Sequence, residues 1–357
     1  LPSWRRYGTV SSSSLSKVRV LRQEPRSRDR VDGLAGRLHI RLRACSRSLG
    51  DPLDSYLHIG TGALRLIIDE EELRRRASLA KNRAELERLV REFSEKIQVD
   101  YEQFVLLKDL KVGERVVVPG SSVKGNVRSR IELSFVPKDD AVRCCLIRAT
   151  DDPVQPPPPG QHGWRHFRIW QSSLSFRRDK ACNYTDEYAK EVCLLCDLFG
   201  TAGLAGLIEF GDLVGTDVKL VEVDLPTRER LLAAQPGSTF EGTATFRNLK
   251  TEELGLLLYG MGMRDSRLGR PVLLGKMKYR RYPPHVFGVV RYELLALELA
   301  PFSQPLDAEG LRVEPGSKLD GSGLDGVVRD LVGRARSEFE GELLDVDEVG
   351  KLERLRA

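Results

Sequence analysis

Apolar and polar side chains alternate along Arg37-Leu-His-Ile-Arg-Leu-Arg-Ala44, with Leu38, Ile40 and Leu42 on one side and His39, Arg41 and Arg43 on the other. A period of two predicts a β-strand with one face in the core and a basic face left open. Strand character recurs at 103–107, 115–118, 207–210, 218–223, 239–246 and 289–299. Between residues 69 and 97 the period lengthens, and Leu73, Ala77, Ala80, Ala84, Val90, Phe93 and Ile97 trace a helical stripe among Glu and Arg. Helical stripes also run through 252–261 and through Leu324, Val328, Leu331, Ala335, Phe339 and Leu343. Residues 1–34, rich in Ser and Arg, read as an arm that orders only on assembly. The prolines at 153 and 156–159 mark a spacer or loop tip.

The stretch Val118-Pro-Gly-Ser-Ser-Val-Lys-Gly-Asn-Val-Arg-Ser-Arg-Ile131 joins a strand to a helix. Pro119 and Gly120 break the strand, and Ser121 or Ser122 is the expected N-cap. Val123, Val127 and Ile131 make an apolar stripe, and Lys124 and Arg128 a cationic one. Unpaired amides at such a helix start, with Lys124 and Arg128 beside them, suit a phosphate, and Gly125 lets a ligand backbone come close. The alternative is ordinary helix capping. The Walker spacing is absent, which removes the P-loop nucleotidases from consideration.

Charge sharpens the choice of partner. The formal net charge is only +5, yet residues 1–50 carry twelve Lys or Arg against three acids. A polyanion partner or a solvated basic tail accounts for that asymmetry. Lys276, Lys278 and Arg280 belong to a second cationic run, between residues 262 and 288. No apolar run approaches a membrane span, and Leu1-Pro-Ser-Trp-Arg-Arg carries no signal-peptide core, so a cytoplasmic protein without a membrane partner is expected.

Six cysteines in such a compartment favour thiols or metal over disulfides. Cys193-x-x-Cys196, with Cys182 upstream and His162 or His166 before it, supplies three thiolates and an imidazole for tetrahedral structural Zn²⁺. A pair of buried helix cysteines is the alternative. Cys144 and Cys145, in an apolar run, are assigned to the core. His162-Gly-Trp-Arg-His-Phe-Arg-Ile-Trp170 interleaves aromatic and basic residues, either to stack on bases or to pack a strand.

Pro119-Gly-Ser-Ser-Val-Lys-Gly-Asn-Val-Arg128 resembles the signature of the RAMP (repeat-associated mysterious protein) superfamily, the backbone and tail subunits of type III CRISPR effectors. Leu57-His-Ile-Gly-Thr-Gly62 upstream and Cys193-Leu-Leu-Cys-Asp-Leu-Phe-Gly200 downstream match in the family's order. The resemblance implies an α+β, ferredoxin-like (RRM-like) core with helical and loop insertions, and raises the expectation of zinc. It divides the chain into an arm at 1–34, a core domain at 35–300 with insertions at 69–97 and 151–200, and a helical extension at 301–357. The implied partners are CRISPR RNA, complementary target RNA and other effector subunits in a filament-like complex. Guide RNA would lie along Arg41, Arg43, His58, Gly60, Thr61, Gly62, Gly120, Ser121, Ser122, Lys124, Gly125 and Arg128, with Lys276, Lys278 and Arg280 adding phosphate contacts.

Members that cut target RNA use an aspartate, which makes the same subunit an alternative endoribonuclease acting with Mg²⁺ or another divalent ion. Asp69, Asp51 and Asp54 are the candidates, and none fits the family position closely. The non-catalytic, RNA-binding reading is preferred.

Overall fold

The computed structural model describes residues 17–59, 64–67, 70–96, 98–101, 105–109, 113–147, 157–161, 163–188, 190–226, 230–280 and 282–355. The calls at Gly60, Thr61, Gly62, Asp69 and His162 lie outside them. Helix and strand are mixed throughout, and the main sheet is antiparallel. Leu34–Ala44 lies at its centre, between Val289–Leu299 and Thr239–Leu249. Leu213–Asp217 and Ile208–Phe210 both pair with Thr239–Leu249, and Gly113–Val118 then Val105–Asp109 extend that edge.

Alternation in the central strand puts Leu38, Ile40 and Leu42 fully inside. Against them pack the helices Gly120–Ser134 and Thr251–Gly260, through Val123, Val127, Ile131, Leu254 and Leu257. The side chains of Arg37, His39, Arg41 and Arg43 take the other side of the sheet. That side is not the open basic surface that the strand's own sequence predicts. Arg41 pairs with Glu241 at 2.7 Å and Glu293 at 3.1 Å, its cross-strand neighbours on either side. His39 meets Glu298 at 3.0 Å. Opposite charges directly across a sheet attract, so cation and carboxylate form a ladder on that side.

The described part of the arm, from residue 17, packs onto the rest of the chain. Lys17–Val20 pairs in parallel with residues 141–142 and 177–178. Arg26 and Arg28 hold the buried Asp197 at 2.8 and 2.6 Å. Residues 70–96 form two helices, Glu70–Ser78 and Arg83–Lys96, in place of one. Trp164–Ile169 is a short helix rather than a strand; Phe167, Ile169 and Trp170 are buried as packing residues, and Trp164 is half-buried. The extension's helix Gly323–Glu338 packs Leu324, Val328 and Leu331 into the main core, and Glu348–Arg354 buries Val349 and Leu352 in a second cluster with Leu273 and Val289. Among the described residues no helix is long and apolar enough to cross a membrane.

Candidate functional site

The helix Gly120–Ser134 presents three stripes. Val123, Val127 and Ile131 face the core. Ser122, Gly125, Asn126 and Ser129 line a cleft of about 340 Å³. Lys124, Arg128 and Glu132 form the third stripe, and Arg128 turns inward to the cysteine helix Leu194–Phe199. Gly120 permits this seat, since a Cβ there would lie 2.2 Å from the Phe210 carbonyl oxygen. The N-cap is Pro119 rather than Ser121 or Ser122, and the Gly120 amide donates to Asp212 Oδ1 at 2.8 Å. Part of the amide cradle expected for a phosphate is therefore already used.

Across the cleft stand Leu274, Gly275, Lys276 and Lys278. Gly275, at φ +94°, crosses so near residue 58 that a Cβ would sit 2.5 Å from the His58 carbonyl oxygen. Ile59 completes the lining. The cleft thus collects Ile59 of the upstream motif, the helix motif and the second cationic run. Burial pushes the Lys278 ammonium down to about 8, opposed by Glu348 and reinforced by Arg130. Arg280 lies outside this lining, exposed, with its Nη1 donating to the Tyr282 hydroxyl at 3.2 Å.

A buried network joins the walls. Asn126 donates to the Leu273 carbonyl at 2.7 Å, and Arg130 reaches the same carbonyl at 3.1 Å and Gly260 O at 2.6 Å. Glu348 accepts from Arg130 Nε at 2.9 Å and from the Leu273 amide at 2.7 Å. Sequence reasoning missed Asn126, Ser129 and Glu348, because their roles depend on helix rotation and on a contact between residues 130 and 348.

Several residues expected on an RNA surface have other duties. Arg128 donates to Glu132 Oε1 at 2.7 Å, to the Gly200 carbonyl at 2.6 Å and to Cys196 Sγ at 3.2 Å. Burial works against its charge, but Glu132 and Cys196 more than offset that and hold the guanidinium above its ordinary value. Lys124 is half-buried and lowered by burial, with Glu209 opposing. His58 is buried, its Nδ1 2.9 Å from the Leu232 carbonyl, and burial lowers its proton affinity. Arg43 pairs with Asp51 at 3.4 Å.

The acid candidates are similarly occupied. Asp51 is buried, accepts from the Ser46 amide at 2.8 Å and pairs with Arg291 at 2.5 Å. Asp54 accepts from the Arg47 amide at 2.9 Å and Ser46 Oγ at 3.2 Å. Both fasten the 45–55 turn, and neither lines the cleft.

The metal expectation changes by one ligand. Cys145, Cys182, Cys193 and Cys196 are all buried, with sulfurs within 4.8 Å of one another. Zinc bonded to four sulfurs at about 2.3 Å holds them about 3.8 Å apart. The Cys145–Cys196 and Cys145–Cys193 separations, 3.5 and 3.7 Å, fit that frame. Main-chain amides of Cys145 and Cys193 donate to Cys193 and Cys182 sulfurs at 3.4 and 3.3 Å, as ligand-orienting contacts do. Four thiolates around Zn²⁺ leave a charge of −2, which Arg128 at Cys196 and Arg22 at Cys182 balance. Thiol-to-thiol hydrogen bonds pull Cys182 and Cys193 down and push Cys145 up. His166 is absent from this cluster; it stacks edge-on to Tyr279, centroids 5.2 Å apart, and is pushed down to about 4 by burial and by Lys278.

The sequence profile of the RAMP superfamily matches residues 53–302. Among solved structures, Csc2 of Thermofilum pendens aligns at 13% identity and a TM-score of 0.34, over 93% of this chain and 85% of that one. The Csm3–Csm4 subcomplex of the type III-A CRISPR-Cas interference complex aligns at 12% identity and 0.31, over 85% and 97%. No curated protein matches the chain.

Proposed function

The chain belongs to the RAMP superfamily, and from that premise we propose that it is a guide-RNA-binding subunit of a type III CRISPR effector in the cytoplasm, with other effector subunits and complementary target RNA as partners. The observation that carries this reading is the cleft, where Ile59, the Ser122-to-Ser129 stripe and Lys276 with Lys278 converge. Hydroxyls, a side-chain-free helix turn and two ammonium groups suit a sugar-phosphate chain and offer little that reads a base, so contact is independent of sequence and base pairing supplies specificity. The core reads as ferredoxin-like: the strands at 34–44, 208–217, 239–249 and 289–299, taken in chain order as first to fourth, lie in the sheet as fourth, first, third, second, with helices 120–134 and 251–260 as the two crossovers. The arm, core and extension form one body on this reading, since 17–20 and 323–338 pack into the same core.

Cys145, Cys182, Cys193 and Cys196 would hold a structural Zn²⁺, whose contribution is to cross-link the 140s loop, the loop carrying Cys182 and the cysteine helix Leu194–Phe199. Binding is preferred to target cleavage: Asp51 and Asp54 are committed to the turn they hold, and the third candidate, Asp69, lies outside the described residues. The test is equilibrium binding to unrelated single-stranded RNAs of equal length. Lys276→Ala with Lys278→Ala should weaken all of them by a similar factor. Unchanged affinity in that double variant would contradict the reading.

A further inference from the structure

Glu348 lies far from the signature motif in sequence and touches both walls of the cleft in space. Its carboxylate is almost wholly buried, 5% exposed, and its Oε1 takes Arg130 Nε at 2.9 Å and the Leu273 amide at 2.7 Å. Arg130 belongs to the helix that carries Ser122, Gly125 and Ser129; Leu273 precedes Leu274, Gly275 and the two lysines. One buried acid therefore couples the hydroxyl wall to the cationic wall. Its charge also acts on Lys278, five residues beyond Leu273, whose other charged and titratable neighbours are Arg130 from the signature helix, His166 from the helix at 164–169 and the Tyr279 ring at 5.2 Å.

Resting on the RNA-binding reading, we propose that Glu348 is the positioning residue of the cleft: it locks the two walls in register and is the counter-charge that keeps Lys278 cationic behind a bound phosphate. Arg130 is buried and Lys278 half-buried beside it, and the two cations repel each other, so a cleft without the carboxylate would favour neutral Lys278. A neutral amine gives up the charge-assisted contact that a phosphate oxygen makes with an ammonium. The C-terminal helix thus acts on RNA through Lys278 without touching RNA.

The sign follows from Lys278 itself. Its proton affinity in the free protein is lowered to about 8, and a bound phosphate raises it again. RNA affinity is then full below that pH and falls as pH rises through it. Removing Glu348 moves the fall to lower pH.

The experiment is a titration of the full chain with a labelled single-stranded RNA from roughly pH 6 to 10, with melting temperatures recorded alongside. Glu348→Gln keeps an amide oxygen for Arg130 and the Leu273 amide but removes the charge. The expected result is a profile displaced to lower pH, with binding about tenfold weaker than wild type on the slope and near wild type at the acid end. Lys278→Gln should flatten the fall, and adding Glu348→Gln to it should displace nothing further. Equal weakening at every pH would reduce Glu348 to a structural residue, and an unshifted profile would remove the proposal. Should Glu348→Gln fail to fold, a wild-type profile with no fall that Lys278→Gln abolishes would overturn it equally. Absence of RNA binding by the wild-type chain would instead sink the proposed function.

Discussion

Gly125 separates the fold from the cleft's use. It sits in the middle of the helix 120–134, and a Cβ built on it meets no atom within 4 Å. Nothing in the packing requires glycine there, and glycine in a helix interior is unfavourable by about 1 kcal/mol relative to alanine. Gly125→Ala should therefore raise the melting temperature slightly. Gly125→Glu should also fold, but it places a carboxylate in the cleft among Ser122, Ser129 and the two lysines. A phosphate about 5 Å away, at an effective dielectric constant of about 20, would be repelled by about 3 kcal/mol, somewhat over a hundredfold in affinity. Gly125→Gln, of equal size and no charge, should lose far less, and added salt should shrink the difference between the two. Fluorescence anisotropy with labelled RNA at two salt concentrations, together with thermal melts, measures all of this. A Gly125→Glu protein that melts like wild type and binds RNA equally well would show that the sugar-phosphate chain runs elsewhere.

Elemental analysis of the purified chain should find about one zinc per molecule, and Cys145→Ser should lose it and melt at lower temperature. Arg128→Ala leaves Glu132 buried without its cation and should destabilise the protein by about 3 to 5 kcal/mol in urea titrations. Its effect on the salt slope of RNA binding should be negligible, because the guanidinium is spent on Glu132, Gly200 and Cys196. Lys276→Ala should reduce that slope by about one unit if one phosphate contact is lost. Asp51→Asn should destabilise the protein by about 1 to 3 kcal/mol through the weakened Ser46 and Arg291 contacts, read by denaturant unfolding.

Local pattern carried much of the fold. The strand foreseen at 37–44 runs from 34 to 44, that at 289–299 has those bounds, and the helix over 252–261 occupies 251–260. These elements bury one face each, so periodicity alone marks them. What periodicity cannot report is the partner of a polar side chain. Arg41 reads as a free cation until Glu241 and Glu293 arrive beside it on strands 200 and 252 residues later. Arg128 has the spacing of a phosphate ligand, but the helix is rotated so that hydroxyls and Gly125 face the cleft, while the guanidinium meets a buried sulfur.

The cysteines show the same limit. Cys193 and Cys196 announce themselves by spacing, whereas Cys145 looks like any thiol in an apolar run until the chain folds it to 3.5 Å from Cys196. Histidine was the natural fourth ligand by chemistry, and His166 was near in sequence, but its ring is taken by Tyr279. Glu348 had no local signal at all.

The most direct test of the central claim is where guide RNA touches the chain. Photo-crosslinking with 4-thiouridine-substituted single-stranded RNA, followed by peptide mass spectrometry, should place the adducts on peptides containing Ser122 to Ser129 and Leu274 to Lys278. Adducts confined to the ladder face at Arg41, Glu241 and Glu293, with the cleft peptides unmodified, would contradict it.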